Sequence, residues 1–323
     1  MRNFAALNLL LAAALLLAAG ASLAKEPRLE IALTFDDLPL NGAKPANRSM
    51  QQIAADTVAV LKAHHIPPSF GFISPNGREL DPDGAGALQA WIDGGNPLGN
   101  HTYTHLSLTK NSAEDFEDEI LRNEPILARL TPPGANSDWR WLRYPFLHEG
   151  DTVEKRRAVR EFLRAHGYRV AQTTIDWEDY LWNGAHARCV DRHDTAAIEW
   201  LRSSYLSEAE RWIRAQRGFA RQVWGRDINH VALLHLGSFS STILPDLFKL
   251  LDREGFAIVT LEEAQSDPVY ESDPDIGAPN GGTLTELMMQ ARQIPWPEGM
   301  ADKPRERLRK ICEKEVPGEG SGD

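Results

Sequence analysis

The sequence predicts an α/β fold, a distorted (β/α) barrel of about seven strands, with its functional residues at the carboxyl ends of those strands. Two observations support this prediction. Short apolar runs alternate along the chain with longer segments of helical periodicity, the pattern of a parallel sheet with helical crossovers. The chain has 323 residues and no glycine-rich phosphate loop after its first strand, which favours a barrel over an open dinucleotide-binding sheet.

Seven short apolar runs have the composition of strands. They are rich in residues that favour β-structure, and their length is typical of buried strands. The predicted strands cover residues 29–35, 68–73, 96–101, 140–145, 168–175, 230–236 and 256–261.

Helical patterns occupy the segments between the strands. Within 49–66 the apolar residues fall on or near one helical face, and Ser49 is a suitable N-cap. The segment 112–130 begins with Ser112 and carries acidic residues in its first turn, which favours a helix N-terminus there. The other helical patterns cover residues 153–167, 194–224 and 241–255.

The first 24 residues have the pattern of a secretory signal peptide. Arg2 gives a short basic start, a Leu/Ala run follows, and Ser22 and Ala24 place small residues before a cleavage point. An uncleaved membrane anchor is the alternative, but the apolar run is short for a spanning helix, which needs about 20 apolar residues. We therefore expect a mature chain from Lys25 that is exported to the periplasm or the exterior and is not stably inserted in the membrane.

The mature chain divides into two predicted regions. Residues 25–264 contain all the predicted strands and form the barrel. Residues 265–323 begin with a loop rich in Pro, Gly and Asp and continue with two short helical patterns, near 284–293 and 303–315. We expect this C-terminal tail to pack on the barrel.

Charge and cysteine content limit the partners and the cofactors. The formal net charge is −11, and removal of Arg2 with the signal peptide makes it −12. An acidic surface argues against nucleic acid or an anionic membrane as the main partner. Cys189 and Cys312 either pair in an oxidising compartment or remain separate buried thiols, and the sequence leaves both possibilities open, as it does the oligomeric state.

Polar residues collect at the carboxyl ends of five predicted strands. Each has an ordinary explanation when taken alone, such as a turn, a helix cap, a surface ion pair or core packing. Because (β/α) barrels carry their chemistry at this end, the concentration of these residues indicates a functional mouth. The residues are Asp36, Asp37, His101, His105, Arg143, Asp176, Asp179 and His235.

Three of these residues suit a catalytic metal. His101 and His105 are four residues apart, so they can share one face of a helical turn. Adjacent residues at a strand end point in different directions, so one carboxylate of the Asp36–Asp37 pair can bind a metal while the other faces a substrate. Two imidazoles and one carboxylate are a usual ligand set for catalytic Zn²⁺, with water in the open position.

The other rim residues suit proton transfer. In a mouth rich in carboxylates, we expect Arg143 to hold an aspartate ionised and oriented. His235 lies in an otherwise apolar strand, where core packing is the usual role, but its place at the rim favours a proton carrier. Asp176 or Asp179 can hydrogen-bond His235 and raise its pKa, as a general acid requires.

In this order, these residues resemble the polysaccharide deacetylases, carbohydrate esterase family four, which include chitin and peptidoglycan N-acetylglucosamine deacetylases. That family carries five ordered motifs, and this chain has a version of each. They are T-F-D-D at Thr34–Asp37, H-T-Y-T-H at His101–His105, R-Y-P-F at Arg143–Phe146, D-W-E-D-Y at Asp176–Tyr180 and an apolar stretch that ends at His235. The resemblance implies a distorted (β/α) barrel that uses a divalent metal, expected to be Zn²⁺, to release acetate from N-acetylglucosamine units of a poly- or oligosaccharide.

The resemblance also implies residue roles for the metal and for proton transfer. Asp37, His101 and His105 are the implied metal ligands. Asp36 is the implied general base, and Arg143 orients it. His235 is the implied general acid, and the fourth motif supplies Asp176 and Asp179, either of which can support it.

A further set of residues is expected at the substrate. The backbone N–H of Phe146 is implied to hold the oxyanion, with Tyr144 beside it. Trp177 and Trp182 lie near the predicted mouth, where an aromatic face suits the apolar face of a sugar.

Two departures from the family pattern concern the shape of the substrate rather than the chemistry. Leu38 and Pro39 follow the first motif and Leu147 follows the third, where the family usually has glycine. Two alternatives therefore stay open, a hydrolase of small non-glycan amides on the same fold and a non-catalytic glycan-binding relative. The sequence does not distinguish chitin oligomers, peptidoglycan and an exopolysaccharide as the glycan.

Overall fold

A computed structural model describes residues 29–76, 80–131, 138–297 and 303–313 of the chain. The predicted signal peptide, residues 1–24, lies outside these ranges. Within them, eight parallel strands form one sheet. The strands are β1 Leu29–Asn41, β2 Gly71–Ile73, β3 Leu98–Asn100, β4 Trp141–Leu142, β5 Arg169–Val170, β6 Ile175–Asp176, β7 His230–Gly237 and β8 Phe256–Val259.

Strand β1 is the centre of this sheet. The strand order is β5-β4-β3-β2-β1-β7-β6, and β8 also pairs with the first part of β1. The prediction of a single strand at 168–175 is wrong, because this segment forms two short strands on opposite edges of the sheet, β5 and β6. Within the described ranges, no hydrogen-bonded ladder joins the two edge strands, β5 and β6, and the chain between them crosses from one edge to the other. The sheet is therefore the predicted distorted barrel.

Helices cover the outside of the sheet. Ser49 and Ser112 cap their helices through side-chain oxygens that accept backbone N–H donors, as predicted. The α-helices in the described ranges are α1 Met50–Ala63, α2 Pro82–Asp93, α3 Ala113–Leu130, α4 Val153–Ala165, α5 Tyr180–Asp191, α6 Thr195–Trp224, α7 Ser240–Arg253, α8 Leu261–Ala264, α9 Leu284–Ala291 and α10 Arg305–Lys310. None of them combines the length and the apolar character needed to cross a bilayer.

Side-chain alternation along β1 separates the interior of the barrel from the layer under the helices. Ile31, Leu33 and Phe35 belong to the large core beneath the helices. Ala32 belongs instead to a smaller cluster with Phe70, Phe72, Trp141 and Val231. Successive strand residues point to opposite faces, so the register that buries Ala32 inside the barrel also directs Thr34 and Asp36 inward.

The tail packs on the barrel over the described part of its length. The Ala278 N–H donates to the Gly150 carbonyl at 2.8 Å, and the Leu284 N–H donates to the Thr173 carbonyl at 2.8 Å. Helix α9 then shares an apolar cluster with α6. Cys189 and Cys312, whose pairing the sequence left open, form a disulfide with a Cα–Cα distance of 5.1 Å.

The packing of the tail on the barrel can be tested at Gly277. A Cβ atom there would lie 2.4 Å from the carbonyl oxygen of Asp151, which is backbone and cannot move aside alone. We expect Gly277→Ala to lower the free energy of unfolding by about 1–3 kcal/mol, measured by thermal or denaturant unfolding. The control is Gly218→Ala on α6, where the new methyl group has no neighbouring atom within 4 Å. The higher helix propensity of alanine should raise the free energy of unfolding of this variant by up to about 1 kcal/mol. Unchanged stability of Gly277→Ala would contradict this packing.

Candidate functional site

The two aspartates of the first motif lie inside β1, not after it as the sequence suggested. Asp36 is still in register with β7, opposite His235, and its side chain is buried. The register is then lost until Asn41, and Asp37 adopts a positive φ of 61°. This local break aims two adjacent carboxylates at different parts of the same mouth.

His101 and His105 lie on a bend after β3, so the prediction of a helical turn is wrong. Thr102 and His105 both have positive φ, at 62° and 59°. The Thr102 hydroxyl accepts the Leu106 N–H at 3.0 Å, so it shapes this bend. This bend, rather than a helical turn, brings the two imidazole rings together at a centroid distance of 4.8 Å.

Asp37, His101 and His105 offer ligand atoms that all lie within 4.8 Å of one another. Asp37 Oδ1 is 3.4 Å from His101 Nε2 and 3.1 Å from His105 Nε2. Ligands of a tetrahedral zinc with bonds of about 2.0–2.1 Å are roughly 3.3 Å apart, so these spacings fit such an ion. A three-residue set also leaves a fourth position for water.

The protonation of the three side chains suits a metal as well. His101 Nδ1 lies 2.8 Å from the Arg143 carbonyl, which can only accept, so Nδ1 carries the proton and Nε2 is free to bind. Burial opposes ionisation of Asp37, but its contacts with the His101 and His105 imidazoles hold the pKa of its carboxyl group well below the usual range. Asn41 Nδ2 donates to the second oxygen of Asp37 at 2.8 Å and fixes its orientation.

Arg143 is 1% exposed, and each nitrogen of its guanidinium has a hydrogen-bond partner. Its Nη1 is 3.1 Å from Oδ1 and 3.2 Å from Oδ2 of Asp36. Its Nη2 donates to the Thr34 hydroxyl at 2.9 Å, and its Nε donates to the Ala171 carbonyl at 2.7 Å. These contacts hold the Asp36 carboxylate in a fixed orientation inside the barrel.

Of the two aspartates considered for His235, the structure pairs Asp179 with it. His235 Nδ1 donates to Asp179 Oδ1 at 2.7 Å, and the His235 backbone N–H donates to Asp179 Oδ2 at 2.8 Å. Burial disfavours the charged imidazole, but the Asp179 carboxylate outweighs it and raises the pKa of His235 to about 10. Asp176 accepts the Glu178 N–H instead, and burial raises the pKa of Asp176 to about 6.

The aromatic residues expected at the substrate divide into two groups. The Phe146 ring is 58% exposed and packs against His105 at a centroid distance of 4.4 Å. Tyr144 is buried and stacks on Phe116, which corrects its expected place at the substrate. Trp177 and Trp182 are fully buried, so stacking of a sugar on either ring is also excluded by packing.

A cavity of about 470 Å³ opens beside these side chains. Five polar or aromatic lining residues lie outside the five motifs and were not identified from the sequence, because they come from segments far apart in the chain: Asn41, Trp212, Asn280, Glu286 and Lys303. Glu178 and Tyr180 also line the cavity; they belong to the fourth motif, but no role was predicted for them from the sequence. The expected residues that line the cavity are Asp36, Asp37, His101, His105, Phe146, Asp176 and His235.

Residues with positive φ concentrate around this cavity. A left-handed backbone is uncommon for any residue other than glycine and is tolerated where surrounding contacts enforce it. Six such residues surround the cavity, each with φ between 54° and 62°: Asp37, Thr102, His105, Phe146, Leu147 and Glu178.

Comparisons with known proteins include matches to polysaccharide deacetylases. Residues 24–171 match the family model for polysaccharide deacetylase. The peptidoglycan-N-acetylglucosamine deacetylase of Bacillus cereus is 25% identical over 158 residues, which are 49% of this chain and 48% of that protein. A chitin deacetylase of Arthroderma benhamiae is 27% identical over 150 residues, 46% of this chain and 35% of that protein. The matches therefore span about half or less of these relatives.

A solved structure is similar over a larger part of the chain. The chitin deacetylase from the fungal pathogen Colletotrichum lindemuthianum superposes with a TM-score of 0.50 at 18% identity. The match covers 74% of this chain and 88% of that chain. At this identity the likeness concerns the fold, and it extends past the residues that the family model matches.

Metal content separates the two aspartates of β1. We expect Asp37→Ala to weaken Zn²⁺ binding by at least about 100-fold, since loss of an outer hydrogen-bond partner alone costs 10–100-fold. Asp36→Asn is the matched control and should retain the metal, because Asp36 pairs with Arg143. Elemental analysis after dialysis against buffered Zn²⁺ measures both variants. Full metal content in Asp37→Ala would contradict the ligand role.

Proposed function

We propose that the chain, whose residues 24–171 match the polysaccharide deacetylase family, is a metal-dependent hydrolase that removes acetyl groups from N-acetylglucosamine units of a glycan. One observation carries this proposal. The possible metal ligands, the Asp36 carboxylate and the His235 imidazole all line one cavity. Its volume lies in the range of about 300–1,000 Å³ typical of small-molecule sites.

Asp37, His101 and His105 would hold the divalent cation, with Zn²⁺ as the expected ion because the set combines two imidazoles and one carboxylate. When bound, such an ion polarises a carbonyl group and lowers the pKa of water to about 7.

Asp36 is the proposed general base. Arg143 contacts both of its oxygens, and Thr34 fixes the guanidinium in turn. A carboxylate in this position accepts a proton from the water that attacks the acetamide carbonyl. The buried guanidinium then stabilises the orientation of the carboxyl group without competing for that proton, because arginine stays protonated.

His235 is the proposed general acid. The Asp179 carboxylate holds the proton of Nδ1, so Nε2 is the atom that can donate to the amine as the C–N bond breaks. The paired imidazole is protonated at neutral pH because its pKa is about 10. The products are acetate and a free amino sugar.

Phe146 has two proposed contacts with the substrate. Its backbone N–H helps to hold the oxyanion, and one such donor is typically worth roughly 3 kcal/mol. Its exposed ring offers an apolar face to a sugar at the mouth of the cavity.

We further propose that the protein acts outside the cytoplasm. The predicted signal peptide supports export, and the Cys189–Cys312 disulfide fits an oxidising compartment. The acidic net charge of −11 disfavours a strongly anionic polymer as the glycan.

Acetate release tests the proposed function directly. We expect the metal-loaded protein to release acetate from at least one of three substrates: chitin oligomers, peptidoglycan and poly-N-acetylglucosamine. Chelation should abolish release and added Zn²⁺ should restore it. Asp36→Asn should lower kcat by about 10²–10⁴-fold while the metal stays bound, because a general base contributes that much. Release from a panel of small amides alone, or from none of these substrates, would overturn the proposal.

The pH dependence of kcat tests the Asp179–His235 pair. A general acid must be protonated, so activity falls as the pH rises through the pKa of His235, which is about 10. Asp179→Asn removes the carboxylate that raises this pKa, so the alkaline loss of activity should move to lower pH. Asp246→Asn, which alters a surface ion pair with Arg202, should keep the wild-type profile. An unshifted alkaline limb in Asp179→Asn would contradict the assignment.

A further inference from the structure

The described end of the chain, residues 303–313, crosses the outside of α5 and is held there by several contacts; we call it the C-terminal strap. Its Cys312 is bonded to Cys189 of α5. The Arg188 guanidinium, also on α5, donates to the carbonyl oxygens of Leu308 at 2.7 Å and Ile311 at 3.1 Å. The side chain of Leu308, which belongs to the strap, is buried.

The first residue of the strap reaches the wall of the catalytic cavity. Lys303 lines that cavity, yet its side chain is only 3% exposed. Its Nζ is 2.7 Å from Glu178 Oε2 and 3.3 Å from the Trp177 carbonyl oxygen. The same ammonium lies 4.8 Å from the centre of the Trp212 ring. A buried lysine with a carboxylate, a carbonyl and an aromatic face around it is firmly held in one position.

Glu178, the partner of Lys303, has an unfavourable backbone conformation. Its φ is 55°, in the left-handed region. Such a conformation costs of order 1–3 kcal/mol for a non-glycine residue and persists only where contacts enforce it. Two contacts come from the strap, because Arg305 also forms an ion pair with the Glu178 carboxylate. A third is local, the Glu178 N–H to Asp176 Oδ1 at 2.7 Å.

Glu178 directly precedes Asp179, which binds His235. Asp179 stands at the N-cap position of α5 but does not cap it with its side chain, since both of its oxygens accept from His235. The next residue, Tyr180, packs its ring edge-on against the His235 imidazole at 5.4 Å. The backbone angle at Glu178 therefore sets the direction of two residues that contact His235, Asp179 and Tyr180.

We propose that the C-terminal strap is a positioning element of the active site: through the ion pairs of Lys303 and Arg305 with Glu178, it holds residues 176–180 in the conformation that aims Asp179 at His235. The Cys189–Cys312 disulfide anchors the strap in that place. The kinetic part of this inference rests on the proposed function, and the structural part does not. Lys303 is thus a positioning residue that acts through Glu178 and Asp179.

Hydrogen exchange on the intact, metal-loaded protein tests the structural part. We expect Lys303→Met to speed exchange of the amides of residues 178–182 by at least about tenfold, while the melting temperature of the protein changes little. Lys303→Arg keeps the charge and should restore most of the protection. Lys310→Met is the matched control, since Lys310 lies on the same strap but pairs only with the exposed Glu306, and it should match the wild type. Wild-type exchange in Lys303→Met would overturn the proposal.

The disulfide provides a second, independent variant. Cys189→Ser combined with Cys312→Ser should speed exchange in the strap itself and, with it, in residues 178–182. Faster exchange of the strap without any change in residues 178–182 would overturn the link between the two segments.

The separate effects of Lys303→Met on kcat and on KM distinguish a positioning role of Lys303 from a role in substrate binding. If Lys303 acts through Asp179 and His235, Lys303→Met should lower kcat for acetate release by about tenfold or more and leave KM within about threefold. A raised KM with an unchanged kcat would overturn the proposal, because it would mean that Lys303 binds the glycan itself. If the wild type releases no acetate from any glycan, the proposed function fails, while the exchange measurements still decide the role of the strap.

Discussion

The buried guanidinium of Arg143 joins the parts of the site. It donates to Thr34 and Asp36 on β1 and to the carbonyl of Ala171 after β5. The backbone carbonyl of Arg143 accepts a hydrogen bond from Nδ1 of His101, which follows β3. The guanidinium also lies over the ring of Phe72 on β2. Removal of one partner from a buried ion pair typically costs about 3–5 kcal/mol, so truncation of Arg143 or Asp36 would be costly, whereas Asp36→Asn keeps an oxygen that accepts from the guanidinium. One residue therefore orients the proposed base through its side chain and sets the tautomer of a proposed metal ligand through its backbone carbonyl.

Much of the site follows from residue types at strand ends. Asp36, Asp37, His101, Arg143 and His235 were expected at one mouth because parallel strands bring their carboxyl ends together. Four of them line one cavity, and Arg143 is buried against Asp36. The signal is strong because several chemically suitable side chains recur at equivalent positions of successive strands. No long-range information is needed for that step.

The parts that were not predicted depend on tertiary contacts. The bend at His101 to His105 requires positive φ at two non-glycine residues, which local preference disfavours and which only the assembled loops enforce. The division of 168–175 into two strands depends on which neighbour each end finds, Leu142 on one side and Ala232 on the other. Trp212, Glu286 and Lys303 reach the cavity from segments with no motif, so the sequence around them does not indicate that they line it. The family match, residues 24–171, ends before all three.

The six positive-φ residues around the cavity have a consequence for ligand energetics. Contacts within the protein enforce these unfavourable angles, as the Thr102 hydroxyl does when it accepts the Leu106 N–H. The proposed cation would therefore not have to supply the energy that holds the loops in this conformation. At a free metal concentration one hundred times Kd, its binding would add about 2.7 kcal/mol to the free energy of unfolding. In such a site the barrel bears the conformational cost, and the cation would act as a stabilising ligand rather than as a folding nucleus.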